Sequence, residues 1–109
     1  MTYNKNNIFY KIINQEIKSK IFFQNENIIV IYDINPINNT HLLIIPKSEI
    51  IDLNDLFEKN YLIFIDEIKN FIHLMKNKYN VDSYQLITNI GEFQEVKHLH
   101  FHFISNIKI

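Results

Sequence analysis

Short runs of apolar residues, separated by polar stretches, divide the chain into predicted strands and one long helical region. Residues 8–17 (IFYKIINQEI) have the spacing of a short helix. Residues 20–34 contain two β-prone runs on either side of a polar break at residues 24–27, which is typical of a hairpin. Pro36 ends the second run, because proline cannot donate a hydrogen bond to a neighbouring strand. The almost entirely apolar segment 41–47 (HLLIIPK) is typical of a central strand.

The stretch between residues 48 and 80 has the pattern of a helix. Its apolar residues recur at spacings of three or four positions, as on the buried face of a helix. These residues are Phe57, Tyr61, Phe64, Ile68, Phe71, Met75 and Tyr79. Asp52 or Ser48 is expected to cap the first turn, and Asn80 to end the helix. His73 lies off this apolar face, which predicts an exposed side chain.

Two more strands are predicted after the helix. Residues 83–91 (SYQLITNIG) read as a strand that ends in a turn at Gly91, the only glycine of the chain, and residues 97–104 (KHLHFHFI) read as the last strand. The order β-β-β-α-β-β predicts an α+β fold with one mostly antiparallel sheet of about five strands, a short N-terminal helix and one long helix packed on one face. We expect a single domain over residues 1–109, with residues 1–7 as a frayed end.

Composition excludes several classes of protein. A chain of 109 residues with 47% hydrophobic residues can form a core, and its formal net charge of −1 provides no field to hold a nucleic-acid polymer. The absence of cysteine excludes disulfides and thiolate zinc sites. The N-terminus lacks the apolar core of a signal peptide, and no apolar run approaches the ~20 residues needed to cross a bilayer. We therefore expect a cytoplasmic protein without membrane contact.

Three of the five histidines alternate in the last predicted strand, at His98, His100 and His102. Alternate residues of a strand share a face, so the imidazoles are expected on an open face, and Leu99, Phe101 and Phe103 on the core side. A shared metal ion is disfavoured, because the outer two histidines would be ~13 Å apart along the strand. Histidines merely tolerated on an exposed face remain an alternative. A row of imidazoles also suits transfer of a phosphoryl or nucleotidyl group, with the middle one as nucleophile.

Several segments around these histidines extend the pattern into a family resemblance. HLHFHFI (residues 98–104) has the form H-φ-H-φ-H-φ-φ, where φ is an apolar residue, and TNIGEFQEVKH precedes it. IFYKIINQEI, IYDINP and THLLIIPK occur earlier, in the same order as in that family. The chain thus resembles the histidine triad superfamily of nucleotide hydrolases and transferases over residues 8–104. Four ordered segments make the match far more specific than the seven-residue motif alone.

The resemblance implies a role for each matching residue. His100 would attack the α-phosphorus of a nucleotide and form a covalent nucleotidyl-histidine, which water then hydrolyses. His98 would orient His100, chiefly through its backbone carbonyl, and His102 would contact the phosphate and assist the leaving group. The substrate-binding residues implied are Asp33 for the ribose, Ile34 for the base pocket, and Asn89, Gln94 and Glu95 on the phosphate and leaving-group side. His41 matches a family histidine of mainly structural character.

The resemblance favours a homodimeric purine nucleoside phosphoramidase, which splits a nucleoside monophosphate from an amine. The alternatives are a dinucleoside polyphosphate hydrolase and a nucleotide-binding module with little turnover. No cofactor or metal is implied, because Tyr10, with no cysteine nearby, removes the zinc site of some members, and Glu49 replaces a histidine often found after P-K-x. Phe93 stands where the family has glycine, and the segment from Asn89 to His98 is shorter than in common members. The leaving-group side of the site is therefore expected to differ in shape.

Overall fold

The structure, a computed structural model, describes residues 2–109; Met1, part of the predicted frayed end, lies outside the described residues. The helices and strands, in chain order, are α1 (Ile8–Ile13), β1 (Ile21–Gln24), β2 (Ile28–Tyr32), β3 (Thr40–Pro46), α2 (Leu53–Glu58), α3 (Ile63–Tyr79), β4 (Gln85–Ile87) and β5 (Phe101–Ser105). No helix within residues 2–109 has the length and apolar character needed to span a membrane.

The five strands form one antiparallel sheet in the order β1-β2-β3-β5-β4. This confirms the predicted α+β fold, including the hairpin whose turn lies between Gln24 and Ile28. The apolar segment predicted as central is β3, which pairs with β2 on one side and β5 on the other, and each of its seven residues is buried. Its burial on both faces explains its continuous apolar character.

Two hydrophobic cores lie on opposite faces of the sheet. The larger contains Leu42 and Ile44 of β3, the buried side of α3, and Leu99 and Phe103 near the C-terminus. The smaller is formed where α1 covers the other face; its buried members are Phe9, Ile12, Ile29, Ile31, Leu43 and Ile45. The predicted open face of the sheet is therefore wrong: α1 covers it, although this helix has only six residues.

The predicted helical region is two helices. Asn60, with φ of 51°, interrupts it between α2 and α3, a backbone conformation that asparagine tolerates better than most residues. Asp52 caps α2 as predicted, since its side chain accepts a hydrogen bond from the Asp55 amide, and Asn80 ends α3 in the left-handed conformation. The predicted apolar face holds from Tyr61 to Tyr79, whose members are buried in or packed against the larger core. Phe57 is 60% exposed, because Leu56 is the residue that α2 buries.

The last two strands are shorter than predicted. Strand β5 begins at Phe101, so His98 and His100 lie in the segment that leads into it and only His102 is within the strand. The core side of this segment is confirmed, because Leu99 and Phe103 are buried in the larger core and Phe101 packs against it. His73 is exposed on α3, as predicted. Fraying of residues 1–7 concerns motion and stays a prediction, as does the single-domain boundary.

Candidate active site

One cavity of about 400 Å³ opens where α1, the end of β2 and the segment before β5 meet. Six of the predicted site residues line it: Asp33, Ile34, Asn89, Glu95, His100 and His102. Apolar side chains of α1 form part of its wall, among them Ile8, Phe9 and Ile12. The cavity thus combines an apolar region, two carboxylates and two imidazoles, which is the composition expected of a small-molecule site.

His98 is completely buried behind the cavity and has both ring nitrogens hydrogen-bonded. Its Nε2 lies 2.7 Å from the carbonyl oxygen of Pro46, and because a carbonyl can only accept, the proton is on Nε2. Nδ1 therefore accepts from the Tyr3 hydroxyl. Burial lowers the pKa of His98 to about 4, so the ring is neutral at pH 7.

His100 presents a free nitrogen to the cavity. Its Nδ1 donates to the backbone carbonyl of His98 at 2.8 Å, which leaves the lone pair on Nε2. Within residues 2–109 this Nε2 makes no hydrogen bond. The ring packs edge-on against Phe9, with 4.8 Å between centroids. Burial lowers the pKa of His100, which keeps the imidazole neutral and nucleophilic near pH 7.

His102 belongs to a hydrogen-bonded group with His41 and Asp33. The amide of Ile37 donates to His41 Nδ1 at 3.2 Å, so the proton of neutral His41 is on Nε2. This Nε2 lies 2.9 Å from His102 Nδ1 and 3.4 Å from Asp33 Oδ2. His102 Nδ1 consequently accepts, and Nε2–H of His102 is the donor left for a ligand. Burial, with the nearby rings of His100 and His41, lowers the pKa of His102.

The same three side chains are also the best candidates for a metal site. The ligand atoms of Asp33, His41 and His102 lie within 4.8 Å of one another. Metal binding through His41 Nε2 would require its proton to move to Nδ1, where it would face the amide hydrogen of Ile37. The hydrogen bonding around His41 therefore opposes a metal ion at this position. The expectation that no metal is bound stays a prediction.

Asp33 and Ile34 lie at the end of β2, beside the apolar wall of the cavity. Asp33 Oδ1 accepts from the amide of Asn35 at 2.8 Å, which forms a turn before Pro36. Its Oδ2 faces the two imidazoles at 3.4 Å and 4.0 Å. Ile34 is 87% exposed, although an isoleucine is normally buried. A carboxylate and an uncovered apolar side chain thus border the same opening.

Gln94 is the one predicted substrate-binding residue that the structure does not bring to the cavity. Its side chain is 4% exposed, and Nε2 donates to the carbonyl of Ile51 at 2.7 Å. The amide therefore fixes the loop instead of facing a ligand. Asn89 and Glu95, on either side of this loop, do line the cavity.

Three residues near the histidines were missed or given little weight in the sequence. Tyr3 was placed in a frayed end, yet its hydroxyl donates to His98. Phe9 contacts His100, and His41 contacts His102. The pairing of β3 with β5 brings His41 beside His102, which an antiparallel alignment of these two segments could have indicated. No sequence pattern indicated Tyr3, since its partner is 95 residues away.

The sheet, the covering helix and the three alternating histidines define a histidine triad protein. Residues 14–109 match the HIT domain family. The chain is 40% identical to the HIT-like protein RP317 of Rickettsia prowazekii, over 98% of this chain and 92% of that protein. It is 36% identical to the HIT-like protein MJ0866 of Methanocaldococcus jannaschii, over 89% and 76% of the two chains. The chain belongs to the HIT domain family.

Solved structures agree with this assignment. A HIT family hydrolase from Clostridium thermocellum superposes with a TM-score of 0.82 at 38% identity, over 94% of this chain and 91% of the other. A histidine triad protein from Clostridium difficile gives a TM-score of 0.85 at 30% identity, over 99% and 96%. The fold is therefore that of the HIT family, whose solved members include a hydrolase.

Proposed function

We propose that this protein is a nucleotide hydrolase of the purine nucleoside phosphoramidase type, with His100 as the nucleophile. The observation that carries the proposal is the hydrogen bond from His100 Nδ1 to the His98 carbonyl, because it directs the lone pair of Nε2 into the cavity. The neutral state favoured by burial of His100 supports the same role.

The residues that line the cavity support one order for the parts of a nucleoside monophosphate. The apolar wall of α1 and the exposed Ile34 suit a base, and the Asp33 carboxylate suits the ribose hydroxyls. The phosphorus would then lie over Nε2 of His100, and Nε2 of His102 would donate to a phosphate oxygen. Asn89 would contact the same phosphate.

In the first step, Nε2 of His100 forms a bond to the α-phosphorus while the bond from phosphorus to the amine nitrogen breaks. The amine needs one proton, which Nε2 of a protonated His102 supplies; in this form Nδ1 also carries a proton, so Nε2–H of His41 turns from His102 to Asp33 Oδ2, 3.4 Å away. The negative charges of the bound phosphate and Asp33 favour the charged form of His102, against the effect of burial. In the second step, water attacks the phosphorus, gives a proton to His102, and displaces His100. The products are a nucleoside monophosphate and the amine.

The hydrogen bonds of His98 explain how it contributes without touching the substrate. Tyr3 and the Pro46 carbonyl hold the ring of His98, and the backbone of the same residue accepts from His100. A carbonyl facing Nδ1–H also stabilises the positive charge that His100 gains when Nε2 bonds to phosphorus. His98 is therefore proposed as a positioning residue.

The test of this function is the His100→Ala variant, assayed with an adenosine 5′-phosphoramidate. We expect kcat/KM to fall by about 10³-fold or more, because the covalent step is lost. His73→Ala, which changes an exposed histidine of α3, is the matched control and should retain activity. A labelled nucleotide should be trapped on His100 in the native protein after quenching in alkaline denaturant, because a bond between phosphorus and imidazole nitrogen is broken by acid. Equal turnover by the native protein and His100→Ala would instead indicate a nucleotide-binding module.

A homodimer is part of the same proposal. Strands β1 and β4 are the two edges of the sheet, and the β1 edge is interrupted by a shift of register between Ile21 and Phe23. Such bulges protect an edge from pairing with another chain. The β4 edge has no such interruption; Ile87, its last residue, is 38% exposed, and Tyr84, just before the strand, is 40% exposed. These features support pairing of two chains through β4.

A further inference from the structure

The loop between Asn89 and Lys97 contains no β-strand, yet hydrogen bonds hold it at several residues. Gly91, with φ of 72°, begins a 3₁₀ turn that ends at Phe93. Buried Gln94 holds the turn to the carbonyl of Ile51, and Lys97 Nζ donates to the carbonyl of Gly91 at 2.6 Å. The position of Phe93 is therefore set by contacts on both sides of it.

This loop holds an aromatic side chain against the cavity but leaves it open to solvent. Phe93 lines the cavity, and its side chain is 73% exposed. Burial of an aromatic ring of this size is favourable, so a fixed loop that leaves the ring uncovered beside a cavity provides a surface for an apolar or aromatic ligand group. Apolar Ile34 and the wall of α1 already suit the base, which leaves Phe93 for another part of the substrate.

The negative charge of Glu95, near Phe93, restricts which substrate group can bind there. Glu95 lines the same side of the cavity and is close enough to His100 and His102 to act on the pKa of both rings. Its carboxylate repels an anionic leaving group and attracts an ammonium group. Among residues 2–109, Lys18 is the one lysine that lines the cavity, and it lies on the side of Asp33. Lys20, two residues later, accepts a backbone hydrogen bond from Tyr32, the residue before Asp33.

We propose that Phe93 and Glu95 form the leaving-group subsite, and that this subsite selects amines carrying an aromatic group over small amines and over anionic leaving groups. The inference rests on the proposed phosphoramidase function and specifies its substrate class. Phe93 stacks on the aromatic group of the amine, and Glu95 stabilises the amine as it gains a proton and, after release, becomes ammonium. A second nucleoside phosphate, which leaves as an anion, is disfavoured by the same carboxylate.

The experiment compares kcat/KM for three substrates that share AMP: its benzylamine phosphoramidate, its methylamine phosphoramidate and diadenosine triphosphate. We expect the native protein to prefer the benzylamide over the methylamide by about 10-fold, as one aromatic contact allows. Phe93→Ala should reduce this ratio to near one. Glu95→Gln should raise the relative turnover of diadenosine triphosphate by about 10-fold, because one repulsive charge is removed.

Matched variants come from the same chain. Phe57→Ala changes another exposed phenylalanine, 60% exposed, that does not line the cavity. Glu92→Gln changes an exposed carboxylate of the same turn that does not line the cavity. Both should leave the substrate ratios unchanged. If Phe93→Ala keeps the native ratio while turnover still depends on His100, the subsite is wrong and the proposed function stands. If no turnover depends on His100, both are wrong.

Discussion

The three histidines of the triad are chemically distinct because their hydrogen-bond partners differ. His98 carries its proton on Nε2, toward Pro46, whereas His100 carries it on Nδ1, toward the backbone of His98. His102 accepts at Nδ1 from His41 and so carries its proton on Nε2. Each tautomer follows from a backbone group whose role as donor or acceptor is fixed. Three identical residues thus have different roles: His98 is a buried structural residue, His100 is the nucleophile candidate, and His102 is a hydrogen-bond donor.

The low pKa of His98 makes stability depend on pH. Its pKa is about 4 in the folded protein and about 6.5 in an unfolded chain, so between these values only the unfolded chain binds the proton. The free energy of unfolding therefore falls as the pH falls from 6.5 to 4, by about 3 kcal/mol from this residue. Urea denaturation of the native protein and His98→Gln across this range measures the effect. An equally steep dependence in His98→Gln would contradict it.

Tyr3 is expected to act on His100 through His98. Replacing Tyr3 with phenylalanine removes the donor to His98 Nδ1 and leaves a buried acceptor without a partner, which costs about 1–3 kcal/mol of stability. Without this hydrogen bond His98 becomes more mobile, and so does its backbone carbonyl, which accepts from His100. We therefore expect kcat to fall while KM changes little. The ¹⁵N chemical shift of His98 Nδ1 should move as well. Tyr10→Phe, which removes a neighbouring hydroxyl, is the control; equal effects of both variants would contradict the prediction.

At the scale of the elements, sequence patterns predicted what depends on neighbouring residues. The hairpin of β1 and β2, the cap at Asp52 and the end of α3 at Asn80 were all predicted, because turn and cap preferences act within a few residues. The break at Asn60 was missed, since apolar spacing continues across it although the backbone does not. The predicted single helix is therefore α2 and α3.

The packing of α1 over the histidine face of the sheet could not be predicted from local sequence patterns. Whether α1 packs on the sheet depends on contacts between Phe9 and Ile12 and strands far along the chain. The apolar run of β3 did indicate burial on both faces, but not which element covers the second face. The sequence accordingly predicted which residues form the candidate site. It did not predict that His98 and Gln94 are buried, because their burial depends on how distant segments pack.

At the scale of the whole molecule, two cores on one sheet place the cavity at the boundary between α1 and the C-terminal segment. The larger core holds Leu99 and Phe103, so the alternate residues His98, His100 and His102 must lie on the side of the smaller core. The smaller core in turn positions Phe9 against His100. The larger core thus holds the backbone of this segment, and α1 holds the imidazole of His100 from the other face. A sheet covered on one face would lack the second contact.

If two chains pair through β4, substitutions at the two edges of the sheet should differ in their effect on the homodimer. Sedimentation of the native protein should give about twice the chain mass of 13.2 kDa. Ile87→Lys introduces a charge at the β4 edge and should give monomers, since an uncompensated charge in an apolar interface is costly. Ile21→Lys makes the same change at the β1 edge, where the side chain is 43% exposed, and should remain dimeric. Dissociation by Ile21→Lys but not Ile87→Lys would move the interface to β1, and a monomeric native protein at micromolar concentration would contradict the dimer.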